Sequence, residues 1–189
     1  MVDVRTISLR LLVAALLAVA TGLTYVVLVR TTTGQAADHQ MLSYFDPTFT
    51  RASGEVPVPL RIPAPALFVV TLLVVCVIGL SRRVFRRTAV AVALMGVAAG
   101  LAQLLKGGLD RPDLAQRIRY TDNSFPSGHV TAAAVCVFAL VLVLPPISRW
   151  FVAVPGAVWV GAVCVSTMVV DWHRPSDVLA VLGRNRIDP

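Results

Sequence analysis

The sequence predicts an all-α fold, a polytopic transmembrane helical bundle that forms a single membrane-embedded domain over residues 1–189. Hydrophobic residues make up 57% of the chain and charged residues 14%, whereas a soluble domain is about 45–50% apolar and about 25% charged. The apolar excess is too large for one globular core, and it falls in runs of about the 20 residues that a helix needs to cross a bilayer. The net charge of +7 comes mainly from arginines scattered between those runs, which argues against a nucleic-acid-binding surface.

Five apolar runs are long enough for full spans, and a sixth begins but stops early. The first run is similar to a secretory signal in composition, but its apolar stretch is longer than that of a signal peptide. The sixth run begins at Val178 and leads into the polar segment 183–189, so only a truncated span is expected there. The predicted spans are about residues 7–29, 62–80, 88–105, 130–147 and 151–170, with a stub at 178–182.

The loop between the second and third spans, residues 81–87, holds four arginines. The positive-inside rule therefore predicts that this loop is cytoplasmic, together with a short turn at residues 148–150. An even number of spans separates each of the segments 30–61, 106–129 and 171–177 from the next, so all three are predicted on the extracytoplasmic face. The expected localisation is the cell membrane, as a multi-pass protein with its polar site on the extracytoplasmic face.

These three segments carry residues that suit a phosphate group. Lys106, the single lysine, supplies a cationic donor, although a lysine at the end of a span can also snorkel to the surface. Residues 126–128, Pro-Ser-Gly, precede an apolar helix and present free backbone N–H groups to an anion. His173 and Asp177 are one helical turn apart, so the carboxylate can fix the imidazole tautomer. His39 is expected to be a solvated loop residue or part of a lid.

Three motifs follow one another in these segments: Lys106 with Arg111-Pro112, then Pro126-Ser127-Gly128-His129, then Ser166 with His173 and Asp177. The motifs resemble those of the type 2 phosphatidic acid phosphatase superfamily of membrane lipid phosphatases, whose site is shared with vanadium haloperoxidases. The resemblance covers residues 106–177, and the order of the motifs relative to the predicted helices also agrees with the family. It implies a phosphatase that works through a phosphohistidine.

The resemblance implies a role for each matching residue. His173 would attack phosphorus, Asp177 would orient His173, and His129 would protonate the leaving oxygen. Neither a metal nor another cofactor is implied, since fixed positive charge does the electrostatic work. The implied partners are a lipid phosphate substrate and the bilayer, with no nucleic acid and no obligate protein partner. The candidate phosphate-binding residues, of which the two arginines are alternatives, are Lys106, Arg111, Ser127, Gly128 and Arg174.

The chain departs from the family pattern in two motifs. Arg111 follows the lysine after four residues instead of six, so it is either a phosphate ligand or the ion-pair partner of Asp110 or Asp113. Thr167 stands where the family has a phosphate-binding arginine. Arg174, next to the predicted nucleophile, is the second candidate to replace that arginine.

Two functions are compatible with these motifs. The first is an integral membrane lipid phosphatase, a phosphoric monoester or pyrophosphate hydrolase acting on phosphatidic acid, phosphatidylglycerophosphate or polyprenyl pyrophosphate. The alternative is a catalytically impaired or truncated family member that binds lipid phosphate without turnover, which Thr167 and the incomplete sixth span favour. The bias toward arginine, alanine and valine indicates a bacterial source with a GC-rich genome.

Overall fold

The structure, a computed structural model, describes residues 12, 15, 16, 18–44, 55–114, 124–170 and 172–182. Its regular secondary structure over these residues is entirely helical, which confirms the predicted all-α fold. The start of the first predicted span and the polar segment 183–189 lie outside the described residues. The helices are α1 (Ala18–Val29), α2 (Thr32–Ser43), α3 (Ala64–Ser81), α4 (Phe85–Gly108), α5 (Gly128–Val143), α6 (Pro146–Val169) and α7 (Pro175–Leu182), with a 3-10 turn at Val58–Leu60.

Three of the described helices, α3, α4 and α6, are long and apolar enough to cross a membrane. The described part of α1 and the whole of α5 are apolar but shorter. The helix bounds follow the predicted spans to within a few residues at most ends. The count of five full spans plus a truncated sixth stays a prediction.

The predicted turn between the fourth and fifth spans was wrong. α5 ends at Val143 and α6 begins at Pro146, so residues 148–150 lie within the first two turns of α6. A proline fits the first position of a helix because its ring fixes φ and its missing N–H has no intrahelical partner there. Hydropathy alone missed this boundary because Pro145 and Pro146 lie inside a continuous apolar stretch.

Segment 30–61, predicted as a loop, contains the helix α2. Thr31 caps this helix, since its Oγ1 accepts a hydrogen bond from the N–H of Gly34 at 2.9 Å. Gly34 is required by the close approach of α2 to α1, because a Cβ there would overlap with the carbonyl oxygen of Val27. α2 therefore folds back against the end of α1, and it also packs against α7.

α5 lies at the centre of the bundle and packs against α3, α4 and α6. Many of its buried residues are alanines, and small side chains let neighbouring helices approach closely. One cluster of buried apolar residues joins α5 to α6 and α7, and a second joins α5 to α3 and α4. The N-terminus of α5, which carries the Pro-Ser-Gly-His motif, is therefore fixed at one end of the bundle.

Candidate active site

Three helix ends meet at that end of the bundle. Lys106 lies in the last turn of α4, Ser127 caps the start of α5, and Asp177 lies in the first turn of α7. The N–H of Ser127 donates to the carbonyl oxygen of Asp177 at 3.0 Å. A Cβ added to Gly128 would lie 3.2 Å from Nζ of Lys106. The fold thus brings the three sequence motifs together.

His173 and Asp177 face each other across the first turn of α7. Nδ1 of His173 lies 3.4 Å from Oδ2 of Asp177, and Nδ1 is buried without an aligned hydrogen-bond partner. The backbone N–H of His173 donates to the carbonyl oxygen of Thr167 at 3.2 Å, which fixes the turn between α6 and α7.

The carboxylate of Asp177 is fully buried and accepts three hydrogen bonds from other residues. Nη1 of Arg111 donates to Oδ1 at 2.8 Å, while Oγ of Ser124 and the N–H of Arg174 donate to Oδ2 at 2.6 and 3.0 Å. Burial alone would raise the pKa of Asp177, but the nearby His173 imidazole, the Arg111 charge and the Arg174 N–H lower it to about 2. Asp177 is therefore a carboxylate at neutral pH.

Arg111 lies between two carboxylates. Its Nη1 binds Asp177, and its Nη2 donates to Oδ2 of Asp38 at 3.2 Å, with the side chain only 2% exposed. Nη1 also donates to Ser124 at 3.2 Å, while the buried Nε has no hydrogen-bond partner. The aspartates that Arg111 contacts are thus Asp38 and Asp177 rather than its sequence neighbours, and its role as a phosphate ligand stays a prediction.

Asp38 of α2 is a buried residue of this cluster that the sequence motifs do not include. Its Oδ1 accepts the backbone N–H of Ser176 at 2.8 Å, and its Oδ2 accepts the Ser176 hydroxyl at 2.7 Å. Burial raises the pKa of Asp38, although the bonds from Ser176 and the charge of Arg111 oppose this effect. The threonine cap at Thr31, followed by a stretch without proline, was the available signal for the helix that carries Asp38.

The other side of the site opens into a cavity of about 440 Å³ between α3, α4 and α5. Lys106, Gly128 and His129 lie at its polar end, and the His129 ring lies 5.7 Å from the ring of Trp172. The rest of the lining is almost entirely apolar. It consists of Ala64, Pro65, Phe68 and Val69 from α3, Ala99, Ala102 and Gln103 from α4, and Thr131, Ala132 and Val135 from α5.

Three further residues named by the motifs have defined positions. The Ser127 hydroxyl is buried and accepts the N–H of Val130 at 3.4 Å as the cap of α5. Arg174 is half-buried just before α7, and its backbone N–H donates to Oδ2 of Asp177. Thr167 is fully buried, with its hydroxyl donating to the carbonyl oxygen of Cys164 at 2.9 Å.

Long apolar helices with a cluster of histidine, carboxylate and cationic side chains at their ends define a helical membrane protein with a polar site at one end of the bundle. The chain belongs to the PAP2 superfamily, which matches residues 88–182. The match contains all three motifs, confirms the resemblance drawn from them, and supports a phosphoric ester hydrolase in general. No curated protein and no solved structure matches the chain. Asp38 lies outside the matched residues.

Proposed function

We propose that the protein is an integral membrane lipid phosphatase that hydrolyses a phosphomonoester or pyrophosphate through a phosphohistidine. One observation carries this proposal. Lys106 and His129 lie at the polar end of an apolar cavity, and the His173–Asp177 pair lies next to them, because the N–H of Ser127 at the start of α5 donates to the carbonyl oxygen of Asp177. This arrangement suits a substrate with a charged phosphate and a hydrocarbon chain.

The proposed reaction has two steps. Nε2 of His173 attacks phosphorus, the bond from phosphorus to the leaving oxygen breaks, and His129 donates a proton to that oxygen. Water then attacks the phosphohistidine, His129 takes a proton from the water, and inorganic phosphate leaves as the bond from phosphorus to nitrogen breaks. Asp177 accepts the Nδ1–H of His173, which leaves Nε2 free to act as the nucleophile.

The phosphoryl oxygens would be held by fixed positive charge. The Lys106 ammonium lies over Gly128, and the backbone N–H groups at the start of α5 are directed toward the same region. Such preorganised donors stabilise charge that develops in the transition state. Hydrolysis should therefore continue in chelator and should be inhibited by vanadate, which mimics five-coordinate phosphorus. Loss of activity in chelator and its recovery with Mg²⁺ would contradict this mechanism.

The cavity supports a lipid rather than a soluble phosphate ester as the substrate. Its apolar walls can cover part of a hydrocarbon chain while the phosphate contacts Lys106 and His129. Phosphatidic acid, phosphatidylglycerophosphate and polyprenyl pyrophosphate all share this chemistry. Hydrolysis of each in mixed micelles would identify the preferred headgroup.

We further propose that the protein is a multi-pass protein of the cell membrane and that the site faces away from the cytoplasm. The four-arginine loop at 81–87 supports this orientation. A cysteine placed at the exposed Gln40 of α2 should react with an impermeant thiol reagent in intact cells, and one at Val84 should not. The parent chain, which retains its three cysteines, is the control. The opposite labelling would place the site in the cytoplasm.

The test of the nucleophile is His173→Ala. It should abolish turnover and the acid-labile phosphate trapped on the wild type, whereas Asp177→Asn should leave some turnover, since a misoriented imidazole remains an imidazole. His39→Ala is the matched control, because His39 lies on α2 and contributes no group to the proposed chemistry. Equal activity of wild type and His173→Ala would exclude the phosphohistidine.

His129→Ala tests the general acid separately. It should slow phosphoenzyme formation most for a poor leaving group and partly spare an activated aryl phosphate, whose oxygen needs little help from a proton. An equal loss for both substrates would contradict this role.

A second function, lipid phosphate binding without turnover, is favoured by Thr167. The family has an arginine there, whereas the Thr167 hydroxyl is buried against its own helix. An inactive wild-type protein that still binds vesicles containing phosphatidic acid more tightly than vesicles of phosphatidylcholine would support this function and exclude the hydrolase.

A further inference from the structure

We propose that Asp38 of α2 is a positioning residue for the His173–Asp177 pair. Asp38 is fully buried and does not line the cavity that ends at Lys106 and His129. It acts on the site through two contacts, one with Arg111 and one with Ser176. The inference rests on the proposed function, because its main readout is the rate of hydrolysis.

The first contact fixes the orientation of Arg111. A guanidinium presents its donors in a rigid planar fork. With Nη2 bonded to Asp38, Nη1 is directed at Oδ1 of Asp177 at 2.8 Å. Oδ1 is then occupied by the arginine, and Oδ2 faces Nδ1 of His173.

The second contact fixes the start of α7. The first N–H groups of a helix have no intrahelical partner, and Pro175 at the first position supplies none. The next N–H, of Ser176, donates to Oδ1 of Asp38 at 2.8 Å, and the Ser176 hydroxyl donates to Oδ2 at 2.7 Å. Asp38 thereby caps α7, although it lies 138 residues before Ser176 in the sequence. Ser176 directly precedes Asp177, so the cap also fixes the backbone that carries Asp177.

α2 is itself hydrogen-bonded to the segment that follows α4, so the position of Asp38 is fixed relative to Arg111. Nε2 of the buried Gln35 donates to the carbonyl oxygens of Val29 and Pro112 at 2.8 and 2.6 Å. Oε1 of Gln35 accepts the N–H of Leu114 at 3.1 Å. These bonds join α2 to the segment that carries Arg111.

The experiment compares Asp38→Asn with the wild-type full chain in detergent, using a soluble aryl phosphate. Asparagine keeps an acceptor for Ser176 but removes the negative charge that holds Arg111. We expect kcat to fall about 10²-fold, the cost of a misplacement of roughly 1 Å in a catalytic group. KM should change by less than about twofold, because Asp38 does not contact the substrate region.

Leu42→Ala is the matched control for general weakening of α2. Leu42 is buried in the apolar cluster that α2 shares with α5 and α7, and its side chain carries neither a charge nor a hydrogen-bonding group. The two variants are compared at an equal fall in thermal midpoint. If Asp38 only stabilises the fold, Asp38→Asn and Leu42→Ala should then reduce kcat by the same factor. A larger loss of kcat in Asp38→Asn supports positioning, and an equal loss or none overturns it.

Ser176→Ala tests the helix-cap contact if Asp38→Asn does not fold. It removes one hydroxyl hydrogen bond and leaves the backbone bond to Asp38. We expect kcat to fall about 2- to 10-fold, which corresponds to the usual net value of one hydrogen bond, with KM unchanged. An unchanged kcat would overturn the contribution of this contact.

Vanadate binding separates failure of this inference from failure of the proposed function. The dissociation constant of vanadate should rise at least about tenfold in Asp38→Asn, because a transition-state mimic requires an oriented nucleophile. Turnover by the wild type with unchanged kcat and vanadate affinity in Asp38→Asn would reject positioning and leave the phosphatase intact. If the wild type is inactive but its vanadate affinity still falls in Asp38→Asn, the positioning role of Asp38 is supported and the proposed phosphatase activity is excluded. Neither turnover nor vanadate binding would reject both.

Discussion

The two halves of the site differ in what their polar groups contact. In one half, the charged groups are buried and bonded to one another, whereas in the other they line a cavity. We call these the closed half, which consists of Asp38, Arg111, Ser124, Ser176 and Asp177, and the open half, which consists of Lys106, Gly128 and His129. The comparison shows a difference in access: the groups of the closed half hold one another in place, and those of the open half face a cavity that a substrate could enter.

The closed half is also the more demanding part of the fold. Two carboxylates, Asp38 and Asp177, share one buried guanidinium, and burying charges costs several kcal/mol per ion unless each is paired and hydrogen-bonded. The serine hydroxyls and the backbone N–H groups that complete the network supply those bonds. Substitutions there should therefore change stability and kcat together. Substitutions in the open half should leave stability nearly unchanged and should change substrate affinity or, at His129, the rate of the proposed proton transfer.

The largest effect is expected for Arg111→Gln. It leaves two buried carboxylates without their shared cation, and breaking a buried ion pair costs about 3–5 kcal/mol. Thermal unfolding in detergent measures the loss. Arg61→Gln is the control, because Arg61 and its partner Glu55 are 59% and 75% exposed and 3.8 Å apart, and such pairs contribute about 0–1 kcal/mol. If both variants lost the same stability, the buried network of the closed half would contribute no more than an exposed ion pair.

Lys106→Met should have a large effect on affinity and little on stability. A charge-assisted contact with a phosphoryl oxygen contributes about 1.5–3 kcal/mol, so the dissociation constant for phosphate or vanadate should rise roughly 10- to 100-fold. The thermal midpoint should stay near that of the wild type, because the ammonium lies at the edge of an open cavity. Lys106→Arg, which keeps the charge, should retain most of the affinity. Strong destabilisation by Lys106→Met would assign Lys106 to the closed half.

Ala99→Phe sharpens the description of the open half. Ala99 lines the apolar part of the cavity, so a phenylalanine should exclude part of a long hydrocarbon chain. We expect KM for a long-chain lipid phosphate to rise about tenfold, as one or two lost methylene contacts would cause, with a soluble aryl phosphate unaffected. Gly100→Phe is the control, since a Cβ at Gly100 meets only open space. If KM rose equally for both substrates, the cavity would not be the binding site of the hydrocarbon chain.

The sequence predicted the features that depend on neighbouring residues. His173 and Asp177 are four positions apart, and Pro126 and Ser127 directly precede α5, so short motifs and the family resemblance were enough to single them out. Asp38 was missed because its partners Arg111 and Ser176 lie 73 and 138 residues away. No short motif encodes a contact at such a distance, because it depends on how α2 folds back onto α1.

The contrast between local patterns and distant contacts also explains where the predicted fold was wrong. Apolar composition predicted α3, α4 and α6, since each contains a long continuous run. It misplaced the turn at Pro145 because the prolines are as apolar as the helices they separate. It missed α2 because that helix is polar enough to be taken for a loop, and its stability comes from the Thr31 cap and from packing on α1 and α7.

The last expected effect is the pH dependence of stability in the closed half, to which its two carboxylates contribute in opposite directions. The pKa of Asp177 is lowered from 3.8 to about 2 in the folded state, so its contribution, about 2 kcal/mol, is present above pH 3.8 and is lost as the pH falls toward 2. The pKa of Asp38 is raised, so its contribution is present below pH 3.8 and is lost as the pH rises through its folded-state pKa.

Chemical denaturation in detergent between pH 2 and 7 can separate the two contributions. Asp177→Asn should flatten the acid limb, in which stability falls below about pH 4. Asp38→Asn should remove the opposite trend at higher pH and leave the acid limb intact. Glu55→Gln, at an exposed position, should change neither. An acid limb that survives in Asp177→Asn would mean that Asp177 is not the carboxylate whose pKa is held low by His173 and Arg111, and the closed half would lose its central contact.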